Sequence, residues 1–197
     1  MPSPRGALRY TLFCLAASLI LPSVRAEDPR GEGQIINGCG IWPHARCAGA
    51  DLRHTDLSGR DLAGADFTNA RLARADLRAA NLAGAVLDGA DLSGARLSKA
   101  NAPAASFRGA RLVGADLEFA RLMRADLSGA DLTAANLEAV RAHFAWFVGA
   151  RLENANLQEG KFVSANLKDA RMEGSFLRFT IFPDANFEGC TGCPKDW

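Results

Sequence analysis

From residue 52 to residue 187 an apolar residue, large at 26 of 28 positions, returns at every fifth place without one insertion or deletion. Nineteen of these residues are Leu and six are Phe, and the other three are Ala102, Ala142 and Met172. Two places before them, from Ala50 to Ala185, Ala fills 22 of the 28 positions. The residue in between is Asp nine times, Asn six times and Arg seven times, so the consensus is A-(D/N/R)-L-x-x. A period of five fits neither an α-helix, at about 3.6, nor a continuous strand, at about 2. It fits a short extended piece followed by a corner.

Within such a piece the Ala and the Leu lie two apart and point the same way, while the residue between them points out. The fifth position is Gly in 11 of 28 units, as expected where a chain must turn. Coiling these units buries a column of Leu and Phe with small Ala packed beside it.

The A-D/N-L-x-x units from Ala50 through Gly189 resemble the pentapeptide-repeat family. The resemblance implies an all-β fold, a right-handed quadrilateral β-helix (a solenoid) with four pentapeptides per coil. It implies about seven coils, 50–69, 70–89, 90–109, 110–129, 130–149, 150–169 and 170–189, and the cysteine pairs just outside the repeat point to short disulfide-linked caps. At roughly 4.8 Å per stacked strand the rod is about 33 Å long. The chain then divides into a signal peptide (1–26), an N-terminal cap (27–49), the repeat (50–189) and a C-terminal cap or tail (190–197). The family's implied role is structural or protein-binding, with no catalysis. Some members are shaped like a DNA duplex and bind topoisomerases, but those are strongly acidic and cytoplasmic.

This chain departs from them. Arg5 and Arg9 precede a short apolar run, Leu12 to Leu21, and Val24-Arg25-Ala26 offers a signal-peptidase site. The run is too short to span a bilayer, which takes about 20 residues. Cleavage after Ala26 and export to the periplasm or the exterior of a bacterium are expected, with no stable membrane insertion afterwards. Losing the three leader arginines takes Lys and Arg from 23 to 20, against 22 Asp and Glu. That near-neutral balance gives no case for nucleic-acid binding.

Every twentieth residue belongs to one face. The outward residues of the first face are Asp51, Arg71, Asp91, Arg111, Asp131, Arg151 and Arg171. Opposite charges on adjacent rungs read as a solvated ladder that pins register, each exposed pair contributing at most about 1 kcal/mol. The third face reads Asp61, Asn81, Asn101, Arg121, Arg141, Lys161 and Ile181, drifting from acidic to basic. The next outward residues there, among them Met123, His143 and Val163, are nearly apolar, with Phe144 and Trp146 alongside. Phe119, Phe176 and Phe179 take outward phases on the second face. An apolar patch rimmed by cations is the usual look of a protein-binding surface. The candidate partner site is Arg121, Met123, Arg141, His143, Phe144, Trp146 and Lys161, centred on Arg141, His143, Phe144 and Trp146. Its occupant is an unidentified protein, or a second copy in an end-to-end or face-mediated homodimer.

Four cysteines follow the leader. With the caps separated by the implied rod, pairing between the ends is excluded, because bonded Cα atoms lie within roughly 7 Å. Cys39–Cys47 and Cys190–Cys193 are then the expected disulfides. Two sharper readings stand beside that one: zinc held by Cys39, His44, Cys47 and His54, and redox activity at Cys190-Thr-Gly-Cys193. No nucleophile elbow, P-loop or H-E-x-x-H is present, so no enzyme and no cofactor is expected. Finally, Ala102 and Ala142 leave space on the beat that Phe107 and Phe147, five residues on, are expected to fill.

Overall fold

The computed structural model describes residues 34–195. The expected leader, residues 1–26, lies outside them. A hairpin opens the described chain, with β1 (Gln34–Ile36) antiparallel to β2 (Cys39–Ile41). Beyond it every extended piece pairs in parallel with the piece 20 residues later, from Arg46↔Asp66 to Arg171↔Thr191. Each pairing is a single-residue bridge, because turns at every fifth residue leave only three extended residues between corners.

The hydrogen bonds of one unit show why the period holds. The middle amide donates backward one coil (Arg71 N–H to Ala50, 2.9 Å). The Leu and corner amides donate forward (Leu72 N–H to Asp91, 2.7 Å; Arg74 N–H to Ser93, 3.0 Å). The Ala amide closes the preceding turn (Ala70 N–H to Phe67, 2.9 Å). In the middle of the rod only the amide just after each Leu, or the residue in its place, has no backbone acceptor.

That amide explains the Asp and Asn consensus. Fourteen of the fifteen middle Asp and Asn residues accept it on their side-chain oxygen, as Asp131 does from Thr133 at 3.1 Å. The fifteenth, Asn101, faces Pro103, which has no N–H to offer. Pro43, Pro103 and Pro183 all take this position, so none removes a ladder bond. It is also the second residue of the turn, where the fixed φ of proline suits a type II geometry.

The third turn residue carries the strain. Its φ lies between 52° and 71° in all 28 units from His54 to Gly189, the left-handed region that type II turns require. Glycine supplies it in 11 units, and 17 side chains adopt it without that freedom, Phe119, Ala139 and Phe144 among them.

Inside, the Leu column and its flanking Ala are buried throughout the middle of the rod. Ala102, Phe107, Ala142 and Phe147 are all buried, each alanine with its phenylalanine on the next side of the same coil. Toward the C-terminal end Leu yields to an aromatic stack, with ring centres 5.6 Å apart for Phe147–Phe162 and 5.1 Å for Phe162–Phe182. Gly160 replaces the usual Ala there because a Cβ would stand 2.7 Å from the Phe162 ring.

Candidate functional site

The first and third faces share a backbone and differ in what they present outward. On the first, Arg71 lies 3.4 Å from Asp51 and Arg151 lies 3.4 Å from Asp131. Arg53 also grips Asp51, with hydrogen bonds of 2.8 and 2.6 Å, and chiefly for that reason the Asp51 pKa falls to about 2. Burial opposes ionisation of Asp91 and Asp131. Hydrogen bonds from Ser93 and Thr133, helped by the neighbouring arginines, still hold both below the usual carboxylate range.

The third face begins as an amide stack. Asn81 Nδ2 donates to Asp61 at 2.8 Å, and Asn101 Nδ2 donates to Asn81 at 3.1 Å. One coil later the stack becomes cationic, with Arg121 bridged to Arg141 and Arg141 to Lys161. All three are exposed, and none makes an ion pair among the described residues.

The seven candidate residues do not form one cluster. Arg121, Met123, Arg141, His143 and Lys161 lie on the third face itself, His143 half-buried and Met123 exposed. Phe144 takes the corner leaving that face, and Trp146 lies beyond it on the fourth; about half of each side chain is open to solvent. The opposite corner holds what the sequence pattern did not single out. There Lys99, Phe119, Ala139 and Glu159 follow one another every 20 residues, and with Arg121, Arg141 and Lys161 they line a groove of 390 Å³. Ala139 is its floor, a small residue between Phe119 and Glu159 at a position where neighbouring coils carry long side chains. Reading the fifth position of each unit at 20-residue intervals would have shown that gap. Phe176, Phe179 and Ile181 extend the exposed apolar surface toward the C-terminal end.

The cysteines are bonded as two local pairs, Cys39–Cys47 with Cα atoms 4.9 Å apart and Cys190–Cys193 at 5.9 Å. A zinc site at Cys39, His44, Cys47 and His54 is therefore not assembled, since the disulfide removes both thiolates. Among the described residues no three His, Cys, Asp or Glu side chains gather as a metal site, and no helix is long and apolar enough to cross a membrane.

A family model described as pentapeptide repeats matches in eight copies, over residues 45–82, 70–103, 104–138, 135–174 and 161–191. Among solved structures the chain is similar to HetL, a pentapeptide repeat protein involved in heterocyst differentiation regulation in the cyanobacterium Nostoc sp. strain PCC 7120. The two share 32% identity over 75% of this chain and 74% of HetL, with a TM-score of 0.50. A pentapeptide repeat protein of the Arabidopsis thaliana thylakoid lumen is 27% identical over 74% of this chain and 71% of its own, with a TM-score of 0.27. QnrB1, a plasmid-mediated fluoroquinolone resistance protein, is 20% identical over 61% of this chain and 69% of its own, with a TM-score of 0.31. No curated protein sequence matches.

Proposed function

The chain belongs to the pentapeptide repeat family, whose members fold as right-handed quadrilateral β-helices, and from that premise we propose that it is an exported, non-enzymatic interaction module. The rigid rod presents its third face, and the corner leading onto the fourth, to a protein partner. One observation carries the reading: Arg121, Arg141 and Lys161 follow one another on adjacent rungs without an ion pair among the described residues, beside exposed Met123, Phe144 and Trp146. Exposed aromatics next to arginines supply the anchors that dominate binding energies.

Export is supported by the leader-like residues 1–26 and by two cysteine pairs bonded locally. An oxidising compartment keeps such bonds. Action through those pairs, as a redox or zinc protein, is the rival reading. Disulfides intact after purification and absence of bound zinc would remove it. The direct test is affinity capture from the periplasm with the wild-type chain and with Arg141→Glu combined with Trp146→Ala. The double variant is expected to lose the captured partner while keeping a β-rich circular dichroism spectrum. Unchanged capture would move the site to another surface.

A further inference from the structure

Building on the third face as a docking surface, we propose that the groove over Ala139 binds an acidic helical segment of the partner, its carboxylates pairing with Arg121, Arg141 and Lys161. Adjacent rungs bring like charges into register, which is unfavourable. On the other faces Arg71 meets Asp51, Arg96 meets Asp76 and Arg151 meets Asp131 one coil away, each at 3.4 Å. Three consecutive cations without such a carboxylate among the described residues are relieved when an outside anion supplies it.

The spacing selects a helix. Rungs repeat at about 4.8 Å, close to the rise of about 5.4 Å per helical turn. Acidic residues three or four apart on one helix face therefore meet successive rungs. An extended strand shows the same side only every 6.8 Å or so and falls out of step by the third cation. The groove runs over three rung steps, roughly 14 Å, with Lys99 and Phe119 at one end, Ala139 as floor and Glu159 at the other. Its end charges set the polarity. The partly positive N-terminus of the helix lies toward Glu159 and its partly negative C-terminus toward Lys99.

The test titrates the full chain with a capped, fluorescent helical peptide of about 15 residues bearing glutamates on one face. An isomer of equal charge with its glutamates spread around the helix serves as comparison. Saturable binding is expected, weakening as salt rises, with the isomer roughly tenfold weaker. Ala139→Phe, which fills the groove without altering charge, and Arg141→Glu should each weaken binding roughly tenfold or more. Arg151→Glu on the first face should not. Phe119 and Phe179 already occupy the same corner phase with φ of 57° and 61°, so Ala139→Phe is compatible with the fold, and its denaturation curve verifies that.

Equal binding of the two isomers, binding indifferent to both groove variants, or no saturation would overturn the assignment. So would tighter binding of duplex DNA or a sulfated oligosaccharide that the same variants abolish. If the peptide fails while Arg141→Glu with Trp146→Ala still abolishes partner capture, the acidic helix is wrong and the docking face stands.

Discussion

The first and third faces of this rod are built on the same rungs, with Leu132 N–H donating to Arg151 at 2.7 Å and Ala142 N–H to Lys161 at 2.8 Å. Inward, the first face is uniform: Leu52, Leu72, Leu92, Leu112, Leu132, Leu152, then Met172. The third is uneven, running Leu62, Leu82, Ala102, Leu122, Ala142, Phe162, Phe182. Outward, the first alternates charge from Asp51 to Arg151 and pairs Arg71 with Asp51 and Arg151 with Asp131, whereas the third stacks three cations in succession. The difference separates what the coil requires from what it merely permits. Backbone bonds and total interior volume are required, while the outward row is free to serve binding.

The largest expected effect lies inside. Leu132→Ala on the first face should cost about 2–5 kcal/mol, since nothing nearby has grown to fill the void. Ala142→Leu on the third face, one coil before Phe162, should also destabilise, by about 1–3 kcal/mol, through overpacking. Chemical denaturation measures both. A stabilising Ala142→Leu would mean that the two faces are not trading volume with the phenylalanines around them.

Next comes the outward carboxylate of the first face. Asp131→Ala strips the Thr133 amide of its acceptor and Arg151 of its partner, an expected loss of about 1–2 kcal/mol. Asp131→Asn keeps the acceptor, as Asn136 does for Glu138, and should cost less than about 1 kcal/mol. Equal losses would show that the ion pair, and not the cap, explains the consensus.

Acid should expose the same face. Asp51, Asp91 and Asp131 have pKa values below those of the unfolded chain, so their stabilisation is complete above the unfolded pKa of about 3.9 and lost as pH falls through the folded values. Thermal midpoints should therefore fall between about pH 4 and pH 2, the lower limit set by Asp51 at about 2. Asp51→Asn with Asp131→Asn should flatten that fall. An unchanged slope would place the acid sensitivity elsewhere.

The smallest effect is a difference in sign. Arg111→Glu sets a third carboxylate between Asp91 and Asp131 and should destabilise by a few tenths of a kcal/mol. Arg141→Glu relieves its neighbours Arg121 and Lys161 and should stabilise by about as much. Matching losses at the two positions would mean that the third-face cations are compensated after all.

Much of this architecture was legible before any coordinates. The Leu column dictated the coil because only a five-residue unit with one inward pair keeps that phase. The reason for Asp and Asn between Ala and Leu was not, since it depends on the one amide that stacking leaves without an acceptor. Glycine flagged the corners at Gly59 or Gly94, but propensity gives no warning that Phe119 and Glu159 take the same left-handed turn. The groove was hidden for a related reason: Lys99, Ala139 and Lys161 are far apart in the chain and meet only through the 20-residue stack. Arg121, Arg141 and Lys161 were visible as a row, and that no carboxylate among the described residues pairs with them emerged only with side chains in place.

The central claim, that the third face and not the first meets a partner, is tested most directly by photocrosslinking inside cells. A benzoylphenylalanine is placed at position 143 or at position 133, equivalent outward sites on opposite sides of one coil. The account predicts a specific adduct from 143, lost with Arg141→Glu, and none from 133. An adduct from 133 alone, or the same adduct from both, would contradict it.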